Sequence, residues 1–263
     1  MADQQIRFSD GSSYDAMMGG WSRSVGELFL EWMRPRAGLD WVDVGCGSGA
    51  FTSLVIQWCK PNSILGVDPS EAQLDFARTR NLGAAARFAR GDAMALDLAD
   101  GSVDVAVGAL VLHFIPNPDR GVAEMTRVVR PGGLVGAYAW DLASGGFPYD
   151  AVHRALRSLG LQAPDPPHPE AGNTHELERL WMAASLVGIE QRVITVSRTF
   201  QDIDEYWRTA TKSPRVAMAL QEVPPHMSDR VMKVTQGDLP QAPNGTLIVT
   251  ARANAIVGVA PPP

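Results

Sequence analysis

The sequence predicts an α/β fold, a mostly parallel sheet with helices on both faces. Three observations carry that expectation. An apolar run ends in a carboxylate and enters a glycine turn, VDVGCGSGAF at 42–51. Two further short apolar runs end near acids, so that Asp43, Asp68 and Asp92 stand 25 and 24 residues apart, close to the length of one strand-helix unit. Strand-like and helix-like periodicities alternate as far as Trp140.

Trp41, Val42 and Val44 form the apolar run of a buried strand, and Ala50 to Trp58 has helical spacing, with Phe51, Leu54, Val55 and Trp58 on one face. Between them Gly45, Gly47 and Gly49 permit a sharp turn and close approach of a ligand to the main chain. Ser48 is positioned to cap the helix. Gly45, Gly47 and Ala50 also fit the relaxed dinucleotide fingerprint.

Ser63 to Val67 is a second strand ending in Asp68, nineteen residues beyond Gly49, where a ribose-binding acid is expected. A carboxylate there can accept from both ribose hydroxyls. Ala86 to Ala89 is a third strand leading into Gly91-Asp92-Ala93, where Asp92 can accept from an adenine amino group. Val103 to Leu112 reads as the fourth strand with its exit, Pro118 to Val129 as a helix, and Leu134 to Trp140 as a fifth strand after the turn VRPGG.

Beyond Trp140, Gly145-Gly146, Pro148 and PDPPHP at 164–169 mark loops around a short helix, Tyr149 to Leu159. Thr174 to Val187 reads as a helix capped by Asn173 or Thr174 and closed by Gly188. Ile189 to Phe200 alternates as a strand. Helices are expected at Gln201 to Thr211, Pro214 to Val223 and Met227 to Thr235, and a last strand at Thr246 to Ala253 after the Asn244-Gly245 turn.

Composition sets bounds. A chain of 263 residues can bury one large core with a lid, and 45% hydrophobic and 20% charged residues are ordinary for a globular protein. Two cysteines make no disulfide framework and suit a reducing compartment. A net charge of −6 argues against a nucleic-acid substrate. No run approaches the length of a membrane span, and MADQQIRFSDGSSYD lacks the basic start and apolar stretch of a signal peptide, so a cytoplasmic location is expected. The run from His175 to Arg179 lacks the second histidine of HExxH, and no metal site is expected.

VDVGCGSG, GVDPS, GDAMAL, the stretch from SVDVAV to LHFIP, and VVRPGG together resemble the class I S-adenosylmethionine (SAM)-dependent methyltransferases. The resemblance is nearest to the small-molecule branch with the ubiquinone and menaquinone C-methyltransferases, methyltransferase type 11. It runs well from Tyr14 to Trp140. It implies a Rossmann-like, seven-stranded sheet whose last strand is antiparallel, in a single domain over 1–263. Within that domain it implies cofactor-covering helices at 1–37, a SAM-binding core at 38–140, and substrate-lid insertions at 141–173 and 201–245.

By the same resemblance, Gly45, Cys46, Gly47 and their backbone would hold the methionine part of SAM. Asp68 with Pro69 would hold the ribose, Asp92 with Ala93 and Met94 the adenine, and Asp43 would act on the amino-acid end. In YDAMMGGWSR, the lead-in to a covering helix, Tyr14, Met18, Trp21 and Arg23 are the candidates. The resemblance implies a basic residue, often present in relatives, where this chain has Gly20, and Arg23 is the candidate cation for the SAM carboxylate in its place. Tyr14, Met18 and Trp21 equally fit an amphipathic face packed on the core.

The expected activity is metal-independent transfer of the SAM methyl to a small, apolar or aromatic metabolite. His113, just past the fourth strand, is the candidate base, because imidazole titrates near neutral pH; the alternative is a histidine that only bonds its own loop. Phe147, Tyr149, Tyr206 and Trp207 either line an acceptor pocket or form the core of the lid. The rival readings are an NAD(P)-dependent oxidoreductase, which the glycine fingerprint permits, and a non-catalytic SAM-binding protein that regulates or scaffolds a partner.

Overall fold

The computed structural model describes residues 11–221 and 223–262; the side chains of residues 11–14 lie outside that description. Seven strands form one sheet in the order β3-β2-β1-β4-β5-β7-β6. They are β1 (Asp40–Val44), β2 (Ser63–Asp68), β3 (Ala86–Arg90), β4 (Val103–Ala109), β5 (Val129–Trp140), β6 (Val187–Phe200) and β7 (Leu247–Val259). Pairing is parallel from β3 through β5, and β7 runs antiparallel to both β5 and β6. The strand order reverses at β1, with β2 on one side and β4 on the other, and a crevice opens there beyond the carboxyl ends of the strands.

The sheet is buried on both faces because its central strands are apolar at nearly every position. Trp41 and Val105 enter one core with Val25 and Phe29 of α1 (Gly11–Met33) and Phe51 and Leu54 of α2 (Ala50–Cys59). Val42, Val44 and Ala106 enter the other, with Val122 and Met125 of α4 (Pro118–Val128) and Leu180 and Trp181 of α6 (Thr174–Ala183). Helix α3 (Glu71–Thr79) follows β2. Helices α5 (Asp150–Ser158), α7 (Ile203–Ala210), α8 (Pro214–Leu220) and α9 (Pro225–Asp238) join the α1 side through Val152, Tyr206, Val216 and Val231.

Among the boundaries that differ from the expected ones, four have a local reason. Gly49, not Ser48, is the N-cap of α2, in a left-handed conformation at φ 73° with no side-chain cap. The Arg-Pro-Gly-Gly segment is absorbed into β5, which starts at Val129 because Val129 pairs with Val103. Helix α6 ends at Ala183, so Gly188 does not close it; Gly188 lies within an irregularity of β6 between Val187 and Glu190. Strand β7 continues past Ala253 because buried Asn254, which looks like an interruption, donates its side-chain N–H to the Gly172 carbonyl at 2.8 Å. Among the described residues no helix is long and apolar enough to cross a membrane, and no cluster of three His, Cys, Asp or Glu is arranged to hold a metal ion.

Candidate active site

A cleft of about 650 Å³ opens at the carboxyl ends of β1, β2 and β4. Its floor is the turn after β1, from Gly45 to Ser48. The amides of Gly45 and Cys46 both donate to the Val67 carbonyl, at 2.8 and 3.0 Å, so the turn hangs from the end of the neighbouring strand. Gly45 has φ 70°, and a Cβ on it would lie 2.1 Å from Cγ2 of Val111, which forms the facing wall. Only glycine satisfies both the backbone and the space. Cys46 also lines the cleft, but burial pushes its thiol well above the ordinary range, which keeps it protonated.

Asp68 ends β2 and faces the turn. One carboxylate oxygen accepts the Gly47 amide at 2.9 Å and the other accepts the Ser70 amide at 2.8 Å. Burial raises its pKa above the usual carboxylate value, and the two amides oppose that rise. The amides fix the carboxylate on the cleft wall beside Pro69, with lone pairs left for a ligand.

Asp43, one residue before the end of β1, is 1% exposed. Its Oδ2 accepts the Thr52 hydroxyl at 2.6 Å, and its Oδ1 has no hydrogen-bond partner among the described residues. Burial first, and then the charge of Asp68, push its pKa up to about 7 against the Thr52 bond. A buried carboxylate oxygen without a donor, on a cleft wall, suits a cationic ligand group.

At the far end, Asp92 and Ala93 line the cleft with Arg90. Asp92 is exposed and accepts the Met94 amide at 2.8 Å, which closes a tight turn. Met94 is not among the lining residues; its carbonyl is held by Arg120 Nε at 2.7 Å. The wall opposite is apolar, with Leu110, Val111, Phe114 and Ile115. Leu110 sits at φ 59°, a left-handed conformation costly for a branched side chain, fixed by its N–H donating to the Tyr138 carbonyl at 2.8 Å.

The covering helix differs most from expectation. Met18 and Trp21 are 2% and 1% exposed and belong to the core, with Trp21 packed on Phe200 at 6.4 Å. Arg23 points outward to Glu27 at 2.9 Å and to Gln57 at 3.4 Å, with its side chain 57% exposed, so it brings no cation to the cleft. Tyr14 lies in α1, but its side chain is outside the described residues. Among the described residues of α1, Ser22 lines the cleft, and its buried hydroxyl has no partner among the described residues. The signal for it was the small-residue spacing Gly19, Ser22, Gly26, which lets one face of a helix lie close: a Cβ on Gly26 would be 2.6 Å from Leu54.

His113 requires correction too. It is 2% exposed and absent from the cleft lining. Its two ring nitrogens lie 3.0 Å from the carbonyl oxygens of His168 and Trp140, and burial holds its pKa below the usual histidine value. No lone pair faces the cleft, so the ring ties loops together instead of serving as a base there. Tyr149 and Tyr206 are fully buried, with ring centres 5.6 Å apart and planes tilted by 49°, in the core that α5 and α7–α9 share with α1. Phe147 and Trp207 pack against the same core, and none of the four aromatics lines the cleft.

Residues 42–136 match the family described as methyltransferase domain. A malonyl-acyl-carrier-protein O-methyltransferase of Pectobacterium atrosepticum is 34% identical over 113 residues, 43% of this chain and 43% of that protein. The chain spans less than half the length of the first curated relatives it matches, at 40%, 43% and 47%. Among solved structures, the YcgJ protein of Bacillus subtilis aligns with a TM-score of 0.59 at 18% identity, over 91% of this chain and 99% of that one. Phosphoethanolamine N-methyltransferase 2 of Haemonchus contortus, in complex with SAM, aligns with a TM-score of 0.59 at 17% identity, over 95% of this chain and 56% of that one. Residues 42–136 are thus similar to a methyltransferase domain, and the seven-stranded sheet shares the fold of these solved structures.

Proposed function

We propose that this protein transfers a methyl group from SAM to a small, apolar or aromatic acceptor. The observation that carries the reading is the pairing of two carboxylates across one glycine turn: Asp68 fixed by two amides, and Asp43 buried with an oxygen lacking a donor. Asp68 would hold the ribose hydroxyls, Asp43 the ammonium of the methionine part, and Ser22 would donate to its carboxylate. Asp92 and the Ala93 backbone would hold the adenine.

When bound, SAM supplies a methyl group already activated by its sulfonium. The chain's own residues then have to orient the two reactants and exclude water. Leu110, Val111, Phe114 and Ile115 provide the dry wall, and α5 with α7–α9 is the group we assign to covering the acceptor. No histidine or lysine lines the cleft among the described residues, which favours an acceptor whose nucleophile is already ionised near neutral pH, such as a carboxylate or an acidic phenol. The relative named as a malonyl-acyl-carrier-protein O-methyltransferase supports trying oxygen acceptors first.

The oxidoreductase reading fits less well. A dinucleotide would bring its pyrophosphate to the glycine turn, where Asp43 presents an unpaired carboxylate oxygen that repels an anion once ionised. Transfer of labelled methyl from SAM to carboxylate and phenol panels tests the proposal. Labelled product from any member of the panels supports it; a protein that binds SAM but methylates no member of the panels or of a mixed metabolite extract favours a binding role.

A further inference from the structure

We propose that Arg80 is a positioning residue that fastens α1 to the glycine turn and so sets how long the cofactor stays in the cleft; this rests on the cofactor reading above. Arg80 caps the C-terminal end of α3. Its Nε donates to the Ser48 carbonyl at 2.5 Å, and one terminal nitrogen donates to Asp15 Oδ1 at 2.6 Å and to the Ser48 hydroxyl at 3.4 Å. The guanidinium lies 5.4 Å from the centre of the Phe76 ring, and the side chain is only 22% exposed. One side chain therefore joins three elements: α1, the turn that floors the cleft, and α3.

Helical geometry explains why this link bears on the cleft. Asp15 and Ser22 are seven residues apart, about two turns, so they share a face of α1. Ser22 reaches the cleft and Asp15 reaches Arg80. Gly19 lies between them, and a Cβ there would be 3.2 Å from the Asp15 carboxyl carbon, so its missing side chain gives the carboxylate room. Separating α1 from the turn to release a ligand breaks a charged link that is partly shielded from solvent, which salt weakens.

The test is stopped-flow release of S-adenosylhomocysteine from the wild type, Asp15→Asn, Arg80→Gln and the double variant, at low and high salt, with a thermal melt of each. Each single variant is expected to release the ligand about threefold to tenfold faster, as one partly shielded ion pair warrants. The double variant should be no faster than the singles, and salt should accelerate only the wild type. Gly19→Ala, which crowds Asp15 without removing charge, should act in the same direction if Arg80→Gln fails to fold. Release rates equal to wild type, or changes that simply follow melting temperature and keep the wild-type salt response, overturn the proposal. A wild type that binds no S-adenosylhomocysteine overturns the cofactor reading itself, and the residence-time role with it.

Discussion

The Asp68 carboxylate accepts the Gly47 amide at 2.9 Å, so a side chain at the end of the second strand shapes the turn that follows the first. The same group forms the cleft wall where a ribose would lie. Replacing Asp68 with Ala should weaken S-adenosylhomocysteine binding about a hundredfold, as expected for two charge-assisted hydrogen bonds of about 1.5 kcal/mol each. Titration calorimetry reads the loss, and unchanged affinity would remove the ribose assignment.

Gly45 and Val111 leave no room for a side chain between them. Gly45→Ala should destabilise the fold by about 2 kcal/mol or more, combining a strained left-handed backbone with a steric clash. Adding Val111→Gly, measured against Val111→Gly alone, should recover the steric part but not the backbone part, since even the Val111 Cβ would lie 2.8 Å from the new methyl. Denaturant unfolding of the single and double variants separates the two contributions, and a neutral single variant would contradict the geometry.

Asp43 predicts a pH dependence with a definite sign. Its pKa of about 7 in the folded protein lies above the unfolded value of 3.8, so its contribution to stability is full below that unfolded value and is lost as pH rises to 7. The ligand-free protein should therefore melt lower at pH 8 than at pH 5, and Asp43→Asn should flatten the difference. Binding should run the other way: from pH 6 to pH 8 the ionised fraction rises about tenfold, and affinity for an ammonium-bearing ligand should rise with it. A wild type and an Asp43→Asn variant with the same pH profiles would refute both effects.

His113 should behave as a structural residue. His113→Ala removes a buried ring that bridges the His168 and Trp140 carbonyls, which keep the Ala171 and Leu142 amides as donors, and should cost about 2 kcal/mol in thermal unfolding while cofactor affinity holds. Loss of turnover with stability intact would restore the base that the geometry denies.

The sequence disclosed the half of the molecule where local chemistry is dense. Apolar runs punctuated by Asp43, Asp68 and Asp92 mark three strand ends and the cleft beyond them, because a parallel sheet confines its ligand groups to one edge. The orientation of α1 was not legible. Met18, Trp21 and Ser22 are near neighbours in sequence, and which of them faces the cleft depends on packing against Leu54 and Phe200, far along the chain. Nor could His113 be assigned from its own neighbourhood, since its partners sit 27 and 55 residues away. Asn254 hid the continuation of β7 for the same reason: its hydrogen bond to Gly172 is invisible until the chain is folded.

Titration calorimetry of the purified protein with SAM, S-adenosylhomocysteine and NADH tests the central claim most directly. Saturable binding of the two sulfur nucleosides, with no heat from NADH, is the predicted result. Binding of NADH alone would contradict the account and assign the glycine turn to a dinucleotide.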